Sequence, residues 1–356
     1  MVLFPSFFDG ISKKGKKKKK DGGKEAAEAM ANDARKKELM LSSSGIVNSN
    51  NSHNFASVCS QRGQKGINQD RLLVWEEFGC QEDMIFCGIF DGHGAWGHVV
   101  AKRVRESVAS SLLCNWQETL AMKSPQIELD DHFDIWKHSY LKTYAAVDLD
   151  LKLNPQLGSF SSGTTALTMI KQGDHLVIAN VGDSRAVLAT ASDDDGRLIP
   201  IQLTVDFKPN LPQEAERITQ SKGRVFCLND EPGVYRVWMP NGKRPGLALS
   251  RAFGDYCVKD FGLISIPDVT HRTITTRDQF VILATDGLWD VISNKEAIEI
   301  VSSTPKRKKS AKRLVQCATQ AWKDNKRGIA MDDISAICLF FHDSNSPSQQ
   351  VEKPAK

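Results

Sequence analysis

The sequence lacks the features of membrane and secreted proteins. None of its apolar runs approaches the roughly 18–20 residues that a membrane-spanning helix requires, and the longest are strand-sized, such as residues 280–284. No secretory pattern is present near residue 1, because the lysines follow a short apolar stretch and no apolar segment comes after them. Val2 stands where myristoylation would need glycine. We therefore expect neither a membrane protein nor a secreted one.

Closely spaced cysteine pairs are also missing. The eight cysteines are spread over the chain without a Cys-x-x-Cys pair, and several lie inside apolar stretches. A disulfide framework or a structural zinc site would need closer, paired spacing. The pattern indicates reduced, mostly buried thiols, as in a protein of the nucleus or the cytoplasm.

Excess positive charge is absent from the body of the chain. The net charge of +4 arises in residues 1–38, which carry 11 Lys and Arg against 6 Asp and Glu, whereas the remaining residues carry 36 against 37. A nucleic-acid-binding domain should carry its positive charge on the folded face, so we expect no nucleic-acid partner.

Residues 1–50 are predicted to form a disordered basic arm. Its lysine run at 13–20, like a second basic cluster at 306–313, indicates either a solvated surface or a nuclear-import or anion-binding patch.

Residues 55–342 have the strand-rich pattern of an α+β domain. Short runs rich in Val, Ile, Phe and Cys predict strands at 55–60, 72–75, 84–90, 164–170, 176–181, 186–190, 199–203, 280–284 and 335–341. Apolar periodicity predicts helices at about 95–114, 131–153, 212–222, 294–302 and 310–323. The strands over 164–203 follow one another without helices, which favours antiparallel sheets. Residues 205–260 are predicted to form an irregular surface insertion, and 343–356 a polar tail.

Aspartates stand at the ends of five of these predicted strands. Asp91, Asp183 and Asp286 follow apolar runs, and Asp70 and Asp332 precede them. One such aspartate is usually a turn residue. Several that converge at one sheet edge would repel each other and would need raised pKa values or a cation. Because the ligands on offer are nearly all oxygen, Mg²⁺ or Mn²⁺ fits better than Zn²⁺.

Residues 92–97 match the dinucleotide-binding pattern G-x-G-x-x-G after a strand and before a helix. Asp91 would meet the pyrophosphate of a dinucleotide with negative charge, however, and the elements that follow do not alternate as βαβ. We therefore reject a dinucleotide site here.

Eight motifs in this order resemble those of the metal-dependent protein phosphatase 2C family of Ser/Thr phosphatases. The likeness extends from about residue 55 to 342, and Asn68-Gln69-Asp70 and Glu214-Ala215-Glu216-Arg217-Ile218 resemble the plant branch most closely. The eight motifs are Gly66-Ile67-Asn68-Gln69-Asp70-Arg71, Phe90-Asp91-Gly92-His93-Gly94, Ser162-Gly163-Thr164-Thr165-Ala166, Asn180-Val181-Gly182-Asp183-Ser184-Arg185-Ala186, Leu203-Thr204-Val205-Asp206-Phe207-Lys208-Pro209, Leu249-Ser250-Arg251-Ala252-Phe253-Gly254-Asp255, Thr285-Asp286-Gly287-Leu288-Trp289-Asp290-Val291 and Asp332-Asp333-Ile334-Ser335.

The resemblance implies a fold and an activity. The family fold is a four-layer α-β-β-α sandwich of two antiparallel sheets with a metal site at one end. The family activity is hydrolysis of phosphoserine and phosphothreonine in proteins by water activated between two Mn²⁺ or Mg²⁺ ions, without a phospho-enzyme. Phosphoproteins are the expected partners, and we expect a monomer. Three alternatives are a catalytically weak regulatory module on the same fold, a hydrolase of small phosphoesters and, from the basic arm, a non-enzymatic role in nucleic-acid tethering.

The resemblance also implies a set of metal ligands. Asp91 would bridge the two ions, and the carbonyl of Gly92 would bind one of them. Asp286 and Asp332 would complete the direct ligands, and Asp70 would hold metal-bound water. In some family members the aspartates that match Asp183 and Asp290, together with the one that matches Asp286, hold a weaker third ion, although a Gly-Asp-Ser turn at 182–184 can serve structure alone.

His93 matches the general acid of the family, which protonates the leaving Ser or Thr oxygen; helix capping or packing is the alternative. Lys65 stands where relatives often have an Arg that binds substrate phosphate, and it keeps the charge but loses the bidentate fork. Arg62 or Lys65 is expected to take this role. Many relatives have Glu at the position of Gln69, which predicts lower metal affinity here.

The insertion at 205–260 matches the flap beside the family's site, where we expect substrate choice to be determined. Its apolar residues 237–239 are expected either to be exposed on the flap or to pack in a core. Arg251 and Asp255 are expected to be structural or to support the flap rather than to act in catalysis.

Overall fold

The described part of the chain forms two β-sheets with helices on their outer faces. The computed structural model describes residues 36–37, 39–47, 56–122, 129–242 and 245–342. Its strands are β1 (Ile46–Val47), β2 (Ala56–Gln61), β3 (Arg71–Glu76), β4 (Met84–Phe90), β5 (Gly92–His93), β6 (Gly163–Thr164), β7 (Ala166–Gln172), β8 (His175–Val181), β9 (Arg185–Ala191), β10 (Leu198–Gln202), β11 (Arg224–Phe226), β12 (Arg236–Trp238), β13 (Pro245–Leu247), β14 (Phe253–Gly254), β15 (Asp268–Thr273), β16 (Asp278–Ala284) and β17 (Ile334–Phe340). Its α-helices are α1 (Gly97–Met122), α2 (Leu129–Leu153), α3 (Pro212–Gln220), α4 (Tyr256–Lys259), α5 (Asp286–Trp289), α6 (Asn294–Ser302) and α7 (Ser310–Asn325).

The two large sheets contain six and five strands. The first has the order β1-β3-β4-β7-β8-β15, and the second has the order β10-β9-β16-β17-β2. Only β1 with β3 is a parallel pair among the described strands of these sheets. The predicted α+β class with two antiparallel sheets is confirmed.

Apolar side chains join the layers into one sandwich. Helices α1 and α2 pack on the first sheet through a cluster that includes Phe86 and Tyr140. Ile89 and Leu188 belong to the cluster between the two sheets, and Leu314 to the cluster under α6 and α7. All seven residues of β4 are buried, because both faces of its sheet are covered. The predicted α-β-β-α arrangement is therefore confirmed.

Most predicted strands are confirmed within two residues of their ends, and the differences have simple causes. The run at 164–170 is divided into β6 and β7. Strand β15 was not predicted, because it lies at a sheet edge and its sequence is largely polar. Helix α1 continues to Met122, beyond the predicted end at 114. None of the helices in the described ranges has the length and apolarity needed to cross a membrane.

The start of the described chain corrects the predicted arm. Ile46 and Val47 pair with Val74 and Trp75, and Val47 and Leu41 are buried in the core under α1. Residues 39–47 therefore belong to the folded domain, although the sequence predicted an arm to residue 50. Their few apolar residues do not recur with the period of a helix or a strand, so the sequence did not predict a folded segment there. Residues 1–35 and the predicted tail at 343–356 lie outside the described residues.

The cysteines are less buried than predicted. All eight are free thiols, as expected, but only Cys87 and Cys338 are buried. Cys80 and Cys114 are exposed, and the other four are partly buried. Position inside an apolar stretch therefore did not predict burial of the cysteines, because several of these stretches have one face toward solvent.

The insertion at 205–260 has a small structure of its own. Strands β11, β12 and β13 form a three-stranded sheet, and Val237 and Trp238 are buried. The rings of Phe226 and Trp238 stack with centroids 4.9 Å apart. Of the two alternatives for residues 237–239, core packing is the one observed for Val237 and Trp238.

A buried carboxylate holds segments of this insertion to one another. Glu214 in α3 accepts hydrogen bonds of 2.8 Å from two nitrogens of Arg217, and bonds of 2.8 and 3.1 Å from Arg251. Arg217 also donates to the carbonyls of Ser250 and Gly262. The prediction that Arg251 supports the flap thus agrees with its contacts.

Glu214→Ala should lower the free energy of unfolding by about 3 kcal/mol, because two arginines lose a buried partner. Glu216→Ala, an exposed change on the same helix, should alter it by less than about 0.5 kcal/mol. Thermal unfolding of the three proteins measures both effects. Burial opposes ionisation of Glu214, but the bonds from Arg251 and Arg217 lower its pKa from 4.5 to about 2. Its contribution should therefore be complete above pH 4.5 and disappear as the pH falls toward 2; a constant difference between wild type and Glu214→Ala over that range would contradict this.

Candidate active site

Asp91 lies at the C-terminal end of β4, in a turn fixed by backbone bonds. Its N–H donates to Thr165 Oγ1 (2.9 Å), and its carbonyl accepts from the Thr165 N–H (2.9 Å) and the Thr164 hydroxyl (3.0 Å). A Cβ on Gly92 would lie 2.6 Å from the carbonyl oxygen of Gly97, so no larger residue fits. The sequence therefore specifies both the strand and the tight turn that present Asp91.

Asp286 and Asp70 are connected through one threonine. Asp286 begins α5 directly after β16, and the hydroxyl of the preceding Thr285 donates to Asp70 Oδ2 (3.0 Å). Asp70 is buried, and its Oδ1 has no hydrogen-bond partner. Burial, with smaller contributions from the charges of Asp333 and Asp332, raises the pKa of Asp70 to about 7.

The adjacent Asp332 and Asp333 have different contacts. Asp333 accepts 2.7 Å bonds from the N–H groups of Gly63 and Gln69, and so fixes the segment between them. Asp332 contacts the ammonium of Lys65, which lies in that same segment. Asp333 is thus a structural anchor, whereas Asp332 is available to the site.

The aspartates lie close enough to repel one another. Burial raises the pKa of Asp91 well above its usual value, and the charges of Asp70, Asp286, Asp332 and Asp183 add to the effect. Burial and the same kind of repulsion raise the pKa of Asp286. The five strand-end positions singled out from the sequence therefore meet at one end of the sandwich.

Lys208 supplies positive charge to the part of this cluster that contains Asp183. Its ammonium contacts the buried carboxylate of Asp183. Burial opposes the charge of Lys208, but Asp183, Asp286 and Asp290 outweigh it and raise its pKa. Asp290 lies at the rim of the cluster and is partly open to solvent. Protein atoms around its carboxyl group still desolvate it and raise its pKa, although the charge of Lys208 opposes this.

The donor set suits a hard divalent cation. Its side-chain donors are carboxylate oxygens, which Mg²⁺ and Mn²⁺ prefer, and Asp70 Oδ1 is a buried oxygen without a partner. Among the described residues, no group of three or more acidic, His or Cys side chains already has the geometry to hold one ion. Asp332 and Asp183 each contact a lysine instead. The chemistry of the cluster therefore fits such a cation, and the two lysines are the groups with which it would compete.

His93 is held by a carboxylate that the sequence did not place in the site. Its Nε2 lies 2.5 Å from Asp255 Oδ2. Strands β5, β6 and β14 form a small sheet that brings the two together, and a Cβ on Gly163 would lie 2.1 Å from Asp255 Oδ2. Burial alone would lower the pKa of His93, but the charge and hydrogen bond of Asp255 outweigh it and raise the pKa.

Comparison with known proteins decides the family. The family model described as protein phosphatase 2C matches residues 54–326. The chain belongs to the protein phosphatase 2C family. It is 62% identical over 351 residues to the probable protein phosphatase 2C 41 of Arabidopsis thaliana, which covers 97% of this chain and 100% of that protein. It is 59% identical over 311 residues to the probable protein phosphatase 2C 48 of rice, covering 85% and 88%.

Solved structures agree with this assignment. The serine-threonine phosphatase 2C of Toxoplasma gondii superimposes with a TM-score of 0.72 at 26% identity, covering 81% of this chain and 94% of that one. The chain is thus a plant-type protein serine/threonine phosphatase, and its family is metal-dependent. The predicted family, fold and enzyme class are confirmed.

Three contacts of this phosphatase were not predicted from its sequence. Asp255 was expected to be structural or to support the flap, yet it contacts His93. Lys208 carried no predicted role, although it lies inside a motif that led to the family. Lys65, predicted only as a phosphate-binding residue, contacts Asp332. Arg62, the alternative for that role, is exposed and has no contact with the aspartates among the described residues. Asp255 and Lys208 both lie inside motifs that led to the family, but spacing along the chain did not indicate what either side chain contacts.

Proposed function

We propose that this phosphatase hydrolyses phosphoserine and phosphothreonine with two Mn²⁺ or Mg²⁺ ions held by the aspartate cluster, by direct attack of water and without a phospho-enzyme. The convergence of Asp70, Asp91, Asp286 and Asp332 at one end of the sandwich supports this. Gathering buried carboxylates is costly unless a cation compensates them. When bound, such ions supply positive charge that activates water and neutralises the phosphoryl oxygens.

Each aspartate has a distinct place in this proposal. Asp91, the Gly92 carbonyl, Asp286 and Asp332 would hold the two ions. Asp70 would act beside them through Oδ1, since its Oδ2 is engaged by Thr285. Asp183 and Asp290, with Asp286, would hold a weaker third ion, and the charges of all three act on Lys208.

His93 would donate a proton to the leaving Ser or Thr oxygen. Asp255 occupies Nε2 and fixes the plane of the ring, so Nδ1 is the nitrogen left to face the substrate. Proton donation to an alkoxide leaving group contributes roughly 10²–10⁴-fold. Asp255 would thus be a positioning residue that acts through His93.

Lys65→Ala should raise KM for a phosphothreonine peptide by about tenfold, because the site loses a cation beside the phosphate. The Mn²⁺ concentration for half-maximal activity should fall, because Asp332 loses a competing ammonium. Steady-state kinetics with varied peptide and varied Mn²⁺ separate these effects. Lys65→Arg, which keeps the charge, should retain a low KM. An unchanged KM in Lys65→Ala would remove Lys65 from phosphate binding.

The proposal is tested by turnover of a phosphothreonine peptide with Mn²⁺, with Mg²⁺ and with EDTA. We expect turnover with either metal and none with EDTA. Acid quenching of the reaction with ³²P-labelled peptide should leave no label on the protein. Labelled protein that forms and decays at the rate of turnover would contradict direct attack by water.

A further inference from the structure

The segment that leads into α7 forms a concentrated basic surface, which we call the basic ridge. Six of the eight residues at 306–313 are Lys or Arg, and all of them except Arg307 are exposed. The six are Lys306, Arg307, Lys308, Lys309, Lys312 and Arg313. This ridge was singled out from the sequence, and the phosphatase site does not use it.

The ridge is not neutralised by the part of the chain that the structure describes. None of its six cations forms an ion pair there, whereas many other Lys and Arg residues do. It also precedes and opens a helix of 16 residues, whose N-terminal end already carries partial positive charge. Cations are disfavoured at that end. The placement therefore lowers helix stability slightly and produces a strong local positive potential.

The backbone of the ridge is held in one arrangement. The Ser57 hydroxyl donates to the Lys308 carbonyl (3.0 Å) and accepts from the Ala311 N–H (3.2 Å). The Arg307 guanidinium lies 4.9 Å from the centre of the Phe340 ring and donates to the carbonyl of His342. Because these anchors are on β2 and at the end of β17, the exposed lysines project from a fixed base.

The ridge and the aspartate cluster lie at opposite ends of the second sheet. Asp332 lies two residues before β17, and Phe340, which contacts the ridge, ends it. Strand β2 runs antiparallel to β17, so Ala56 pairs with Leu339 at the ridge end and Gln61 with Ile334 at the site end. A strand of seven residues spans about 23 Å. A ligand on the ridge therefore cannot touch the reacting phosphate.

We propose that the basic ridge docks an acidic segment of the phosphoprotein substrate, remote in sequence from the phosphorylated residue; this rests on the proposed function. Charge complementarity selects the partner, and the enzyme class makes that partner a protein. Residues 1–35 and 343–356, which lie outside the described residues, contain no acidic run that could occupy the ridge in place of a partner. The docked segment holds the substrate to the enzyme while the phosphate enters the site.

The test uses the full-length protein and three phosphothreonine peptides. One has no extension, and two carry six glutamates beyond a Gly/Ser linker of 4 or 16 residues. The distance to be covered is about that of β17, or 23 Å. The short linker spans about 14 Å when fully extended, whereas the long linker spans about 22 Å on average and more when extended. A labelled hexaglutamate peptide, followed by fluorescence anisotropy, measures binding to the ridge independently of turnover.

Two triple variants are compared with the wild type. The ridge variant is Lys308→Glu/Lys309→Glu/Lys312→Glu. The control has the same charge change, Lys102→Glu/Lys137→Glu/Lys152→Glu, at exposed positions on the opposite layer.

We expect the long-linker peptide to have a KM about tenfold lower than the peptide without extension, with equal kcat. The short-linker peptide should show no advantage. The ridge variant should lose the advantage and the hexaglutamate binding, while the control keeps both and all three proteins hydrolyse the unextended peptide equally. Salt at 0.5 M should weaken the effect by screening.

Three results would overturn the docking surface. The first is a ridge variant that keeps the lower KM of the wild type for the long-linker peptide. The second is a wild type in which the long linker does not lower KM and hexaglutamate does not bind. The third is ridge-dependent binding to phosphatidylserine vesicles without any binding to hexaglutamate. Hexaglutamate binding that is lost in the ridge variant, in a protein that hydrolyses no peptide, would support the surface while contradicting the proposed function.

Discussion

Asp91→Asn should reduce kcat for a phosphothreonine peptide by on the order of 10³-fold or more at saturating Mn²⁺. Asp91 lies at the centre of the cluster, since the charges of four other aspartates act on it. An amide of the same size keeps the turn at the end of β4 but supplies no charge to a cation. Steady-state turnover of wild type and variant measures the loss.

Stability distinguishes a lost ligand from a lost fold. Because burial and repulsion disfavour the Asp91 carboxylate, Asp91→Asn should raise the unfolding temperature in EDTA or leave it unchanged. Asp260→Asn makes the same chemical change at an exposed position and should leave turnover unaffected. Near-normal turnover in Asp91→Asn would remove this residue from the reaction.

Asp255→Asn should slow hydrolysis of a phosphothreonine peptide by roughly 10–10²-fold while hardly changing that of p-nitrophenyl phosphate. The Ser or Thr alkoxide needs a proton as it leaves, whereas nitrophenolate leaves without one. Loss of the 2.5 Å contact would free the His93 ring and so affect only the first substrate. Asn tolerates the left-handed backbone that Asp255 adopts at φ 51°, so the fold should survive.

His93→Gln provides the reference for this prediction. It should show the same dependence on leaving group with a larger loss, because the donor itself is removed. The double variant should be no slower than His93→Gln alone, since Asp255 acts through the ring. Equal losses on both substrates in Asp255→Asn would show that the residue serves the site in another way.

The sequence predicts the parts of the site that local patterns encode. The apolar run of β4 followed by Asp91-Gly92 predicts both a buried strand and a tight turn, and both are observed. The same reasoning places Asp286 after β16 and Asp70 before β3. These assignments succeed because burial on both faces leaves a continuous apolar signal and because glycine is required at the turn.

Contacts between distant segments were beyond such reasoning. Asp255 reaches His93 only because three two-residue strands, far apart in the chain, form one small sheet. Adjacent carboxylates cannot be told apart by spacing either: Asp333 accepts two backbone bonds, and Asp332 contacts Lys65. Strand β15 was missed for a related reason, since an edge strand with polar residues carries little periodic signal.

Binding of Mn²⁺ to the metal-stripped protein, measured by equilibrium dialysis, tests the central claim most directly. The aspartate cluster predicts that the wild type binds two ions tightly, with a third more weakly. Asp91→Asn and Asp286→Asn should each bind fewer, and activity should appear as the tight sites of the wild type fill. No Mn²⁺ binding by the folded wild type, or the same uptake in all three proteins, would contradict the account.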